Sequence, residues 1–223
     1  MKMIWYGHSS FLLTSENGTR VLIDPYGKFL GYRMPKAIEA DLVVVTHNHK
    51  DHNQIKVASG NYKLIDQPEA QTIKDVSIRG VRTFHDKHNG AKRGGNICFL
   101  IEMDGVVVCH AGDLGHLLTE EQVAEIGHVD VLIVPVGGRM TLNGAEAAQV
   151  VRQLKPSVAI PMHYSTKALG LLGKVIFQNA EPFIQATGQP LTSDVQTFTW
   201  RKNEGAEQPR TLTFQYAQQY AGQ

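Results

Sequence analysis

Thr46-His47-Asn48-His49-Lys50-Asp51-His52 places three imidazoles and one carboxylate within six positions. Imidazole nitrogen and carboxylate oxygen are the donors that zinc, manganese and iron take from proteins. In extended backbone His47 and His49 project to one side, as residues i and i+2 do, so they can share one ion. Asp51 and His52 come where the chain turns and can face a second ion beside the first. The run Asp41-Leu42-Val43-Val44-Val45 just before them is apolar and β-branched, which reads as a buried strand. A loop leaving a rigid central strand holds its ligands still, as a metal site requires.

Two ions need more donors than one loop supplies. His85, Asp113 and His163 each follow a predicted strand, ending near Phe84, Cys109 and Ile160 respectively. Each alone means little; together with the histidine loop they complete a two-metal set. His88, three residues beyond His85, is the alternative ligand from that loop.

The elements that must position these residues follow from periodicity and turn chemistry. Strands are expected at 3–6, 10–15, 20–23, 41–46, 62–66, 76–84, 97–103, 106–109, 129–134 and 158–160, with hairpin turns at Asn17-Gly18 and Asp104-Gly105. Residues 26–40 read as an irregular connection. A short helix is expected over 54–58. Thr119 with Gln122, and Asn143 with Glu146, are capping-box patterns that start helices ending at Gly127 and Lys155-Pro156. Helical stretches near 166–173 and 179–187 come next. Strands 195–200 and 211–216, joined by a polar turn over 203–209, are expected to close the sheet, and the last residues to fray. The pattern implies an α/β sandwich, with two sheets face to face and helices outside, in one domain spanning residues 1–223.

The 223 residues carry a formal net charge of +1, so no strong field favours a polyanion, and nucleic acid is not the expected partner. No window reaches membrane-span length and the start lacks an apolar leader, so the expected location is cytoplasmic. Cys98 and Cys109 flank the Asp104-Gly105 turn as diagonal neighbours, too far apart for a relaxed disulfide, and are expected to be buried thiols. A homo-oligomer is compatible with the sequence.

The order His47-x-His49-x-Asp51-His52, then His85, Asp113 and His163, resembles the metallo-β-lactamase-fold hydrolase superfamily over almost the whole chain. Gly7-His8-Ser9-Ser10-Phe11, Ile23-Asp24-Pro25, His110-Ala111-Gly112-Asp113 and Pro161-Met162-His163-Tyr164 look like its compact bacterial members, similar to the L-ascorbate-6-phosphate lactonase branch. The resemblance implies a four-layer αββα sandwich of two mixed β-sheets flanked by helices, with metals at one edge. His47, His49 and His85 would hold the first ion. Asp51, His52 and His163 would hold the second, and Asp113 would bridge both. The implied cofactors are two divalent ions, foremost Zn2+, with Mn2+ or Fe2+ as alternatives.

The expected chemistry is hydrolysis of a lactone, ester or phosphoester of a small anionic metabolite by a metal-activated hydroxide, with Asp51 as the catalytic carboxylate. Iron redox chemistry of the sulfur dioxygenase type, or a metal-dependent nuclease, is the alternative on the same ligand frame. Asp24 is a candidate to orient a ligand, or a turn residue before Pro25. His8 is read as reaching the site from the first hairpin or as a satisfied buried histidine. Arg93 could bind an anionic substrate or be a solvated loop charge. Tyr164 could donate to a developing oxyanion or simply pack. His110 and His116 are read as structural, Arg139 as a possible substrate contact, and His128 as a surface residue.

Overall fold

Apolar alternation and the Asn17-Gly18 turn build the first sheet. β1 (Lys2–Gly7), β2 (Ser10–Thr14) and β3 (Arg20–Ile23) form an antiparallel meander in the computed structural model, which describes residues 1–200 and 208–216. The register shifts between Trp5 and Gly7, where Gly7 (φ 97°) and His8 (φ 52°) both take left-handed backbone. The 26–40 connection carries a small ribbon, β4 (Lys28–Phe29) with β5 (Tyr32–Arg33), then β6 (Ile38–Glu39). β7 (Leu42–Val44) lies parallel to β3. β8 (Ala58–Ser59) pairs with β6, and β9 (Lys63–Ile65) runs parallel to β7.

The second sheet begins antiparallel with β10 (Gln71–Ile73), β11 (Val76–Phe84), β12 (Gly95–Met103) and β13 (Val106–His110). It continues in parallel with β14 (Val131–Pro135) and β15 (Val158–Met162). The helices are α1 (Glu120–Ile126), α2 (Gly144–Leu154), α3 (Gly170–Ile176) and α4 (Glu181–Thr187). Both expected capping boxes form, Thr119 with Gln122 and Asn143 with Glu146. The chain finishes with β16 (Leu191–Val195), β17 (Phe198–Thr199) and β18 (Arg210–Phe214). The sheet orders are β17-β1-β2-β3-β7-β9 and β10-β11-β12-β13-β14-β15-β18-β16.

Along β12 and β14, neighbouring residues serve different cores. Phe99, Ile101, Val131 and Ile133 join Phe11, Leu13, Val21 and Val44 between the sheets. Cys98, Leu100, Leu132 and Val134 join Ile126, Val150 and Phe183 beneath the helices. A strand buried on both faces reads as a continuous apolar run, as β14 and β15 do. Each fully buried aliphatic side chain there contributes about 1.5–3 kcal/mol. Leu100 faces Cys109 as the hairpin turn required, and both cysteines are buried and free.

Three expectations are corrected. Residues 54–58 make only one 3-10 turn, Ile55–Val57, because Ala58 must already extend to pair with Ile38. The helix expected over 166–173 is split at Gly170 (φ 62°), giving a 3-10 turn and then α3, which runs to Ile176. The C-terminal strands do not close one sheet: Phe198 and Thr199 pair with β1, whereas β18 lies between β15 and β16. Most of the polar turn expected at 203–209 and the fraying expected at the end fall on residues 201–207 and 217–223, outside the described residues. Among the described residues no helix is long and apolar enough to cross a membrane.

Candidate metal centre

Seven predicted residues converge where β7, β11, β13 and β15 end. Asp113 is the hub. Its Oδ2 lies 3.0 Å from His85 Nε2, 3.2 Å from His163 Nε2, 3.4 Å from His52 Nε2 and 3.8 Å from His47 Nε2. His47 Nε2 and His49 Nδ1 are 3.0 Å apart. Three sets have donor atoms within 4.8 Å of one another: His47, His49 and His85; His47, His52 and Asp113; and His8, Asp51, His52 and His163.

Local structure fixes which nitrogen each ring presents. Asp24, beside β7 at the end of β3, accepts from Thr46 N–H (2.8 Å, Oδ1), Thr46 Oγ1–H (2.7 Å, Oδ2) and His52 Nδ1–H (2.9 Å, Oδ2). Because the Thr46 hydroxyl gives its proton to Asp24, it accepts from His47 Nδ1–H at 3.0 Å. The Nε2 atoms of His47 and His52 are therefore turned to the centre. His52 Nε2 and Asp113 Oδ1 are buried and make no well-formed hydrogen bond among the described residues. Buried polar atoms are normally satisfied, so this orphaned donor set, imidazole-rich with carboxylates, fits divalent transition metals.

The electrostatics agree. Burial raises the Asp113 carboxyl, but the facing imidazoles of His163 and His52 outweigh it and hold it well below the usual range. Burial lowers His52, yet Asp113 and Asp24 raise it well above the ordinary histidine value. A field that draws a proton onto His52 equally favours a cation there. Burial, aided by His52, drops His47 to about 3. Burial, aided by His163, drops His8 to about 4.

The remaining residues sort as follows. His85, not His88, joins the cluster; His88 is exposed, and its N–H donates to Asp86. His110 donates Nε2–H to Ser9 O (2.9 Å) and accepts from Gly112 N–H, so it braces the sheets rather than facing the centre. Tyr164 stacks on Trp5, ring centroids 5.7 Å apart, which favours packing over oxyanion donation. His116 accepts from Phe84 N–H, Arg139 is exposed, and exposed His128 pairs with Asp130. Arg93 lines a cavity of about 800 Å³ together with His47, His49, Arg82 and Phe84.

Sequence reasoning missed two supporting residues. Asp86 accepts from the backbone N–H groups of His88, Gly90, Lys92 and Arg93, which ties down the loop after His85. Asn96 accepts from Asp113 N–H and donates to Thr83 Oγ1 and Ala111 O. An Asp opening a glycine-rich loop was the available signal for the first; a buried Asn carries none in sequence.

Two stacked mixed sheets with this cluster at one edge define a metal-dependent hydrolase of the metallo-β-lactamase fold. Residues 2–163 match the β-lactamase superfamily domain, and the chain belongs to that family. More particularly, it is 33% identical over 193 residues to a "UPF0173 metal-dependent hydrolase" of Thermococcus onnurineus, covering 74% of this chain and 85% of the relative. A crystal structure from Thermotoga maritima, of a protein assigned by name to the Zn-dependent hydrolases of this superfamily, aligns with TM-score 0.77 and 35% identity over 96% of this chain and 97% of that one. The diiron β-hydroxylase CmlA of Streptomyces venezuelae shares the fold alone, with TM-score 0.62 and 14% identity over 96% of this chain and 52% of its own.

Proposed function

We propose that this metal-dependent hydrolase works with two ions, one held by His47, His49 and His85, the other by Asp51, His52 and His163, with Asp113 spanning both. The carrying observation is the single Asp113 oxygen facing four imidazole nitrogens from three chain segments. Ions bound there supply acidified water and polarise a carbonyl or phosphoryl oxygen. Asp51, whose side chain is 29% exposed, is the one carboxylate of the cluster open to solvent, and it orients the attacking water and takes its proton. Arg93 and Arg82 border the cavity beside His49 and suit an anionic group on a small ester, lactone or phosphoester.

Elemental analysis of protein purified without added metal, followed by a hydrolase substrate panel, tests this. About two ions per chain are expected. Asp113→Ala should weaken retention of the second ion and abolish turnover. Full retention of both ions in Asp113→Ala removes it from the spanning role. Iron with oxygen consumption and no ester cleavage would replace hydrolysis with redox chemistry.

A further inference from the structure

His8 is a buried imidazole at this edge that the seven-residue set leaves unused. It is 2% exposed and sits at φ 52°, a region costly for residues with a Cβ. The surrounding structure enforces that backbone. His8 O accepts from Trp5 Nε1–H at 3.1 Å and from His163 N–H at 3.2 Å, and the next residue, Ser9, is held through its carbonyl by His110. The ring lies 4.3 Å from that of His163 and 5.1 Å from that of His52, with Phe29 and Phe177 walling the far sides. Strain held by three clasps, delivering one imidazole into a cluster of donors, calls for a role beyond packing.

We propose that His8 is a fourth side-chain ligand of the second ion, completing the group formed by Asp51, His52 and His163. A hydrogen bond to Asp51 would require only that pair to meet. Instead donor atoms of all four residues lie within 4.8 Å of one another, so they converge on a common point. His8 Nε2 stands 3.2 Å from Asp51 Oδ2, close to the 3.0 Å between His47 Nε2 and His49 Nδ1 on the other side. With bonds of about 2.0–2.1 Å, adjacent ligands of one ion lie roughly 3 Å apart. Counting Asp113, the second ion then has five protein donors and the first has four. A more crowded second ion favours metals that accept six ligands, and it leaves the first ion, next to the cavity, as the one facing substrate.

The proposal rests on the two-ion reading, and the test separates their failures. Ion content of the parent tests the two-ion reading; a parent with one ion overturns both. With two ions in the parent, His8→Asn and His8→Gln are compared by metal titration, with circular dichroism to verify folding. Asn tolerates left-handed backbone, so it preserves the loop. His8→Asn is expected to keep the first ion and to weaken the second by about 100-fold or more, beyond the range for residues that merely support a ligand. Gln retains an N–H able to bond Asp51, so restoration of parental affinity in His8→Gln overturns ligation in favour of positioning. Unchanged affinity in His8→Asn also overturns it. An anomalous-diffraction map of the metal-loaded parent decides without any variant: His8 Nε2 within bonding distance of the second ion is expected, and Nε2 turned only to Asp51 sinks the idea.

Discussion

Asp24 divides two carboxylate oxygens among three donors, and by doing so sets the direction in which His52 and His47 present their lone pairs. Burial raises its carboxyl, but His52 outweighs burial and keeps Asp24 ionised. Asp24→Asn keeps the shape and tolerates the left-handed backbone at φ 44°, but its amide removes the charge. It should weaken the second ion about 10–100-fold with the fold intact, measured by competition against a chelating dye. The ligands themselves were legible in the sequence because their types and order carry the chemistry. For His8 the sequence left two readings open, reaching the site or a satisfied buried histidine, because a histidine after a glycine gives no sign that a bulge will aim it inward. Asn96 was not legible, because its three bonds join segments that only the fold brings together.

At the scale of elements, the helix expected after His52 shows where local pattern loses to pairing. Gln54 to Ala58 contains no breaker, yet the partner strand at Ile38 and Glu39 pulls Ala58 and Ser59 into extended backbone. The capping boxes of α1 and α2 were readable because both bonds of each box lie within four residues. The loop from Asp86 to Arg93 is the opposite case, shaped by one side chain gathering four N–H groups. Burial raises Asp86, but those N–H groups prevail and hold it at about 2. Asp86→Ala should loosen this loop by freeing those N–H groups, visible as a lower thermal midpoint. It should also raise KM more than it lowers kcat, since Arg93 rides on this loop beside the cavity.

For the whole molecule, the two halves of the centre should respond differently to acid. His47 is lowered to about 3 and His49 is also lowered, chiefly by burial, so protons compete poorly for these two donors of the first ion. His52 is raised well above its ordinary value, so a proton must leave before the second ion binds. Below that raised value, affinity for the second ion falls as pH falls, while His47 and His49 stay unprotonated to lower pH. Metal analysis after dialysis between pH 8 and pH 5 should therefore show the second ion leaving first; simultaneous loss would contradict this. The sandwich itself was foreseeable from its apolar strands, but the final crossing was not, because the short segments near 198 and 210 carry no sign of which sheet they join. That crossing has a consequence for synthesis. β15, which carries His163, is flanked on one side by β18, made much later. While a ribosome is still translating the intervening stretch, the strand beneath His163 has an open edge, although all the donors of the centre have already been made. Every donor of the centre is thus synthesised before the strand that seals its edge, so the exposed edge of β15 is the part of the nascent fold that most needs shielding until Phe214 has emerged.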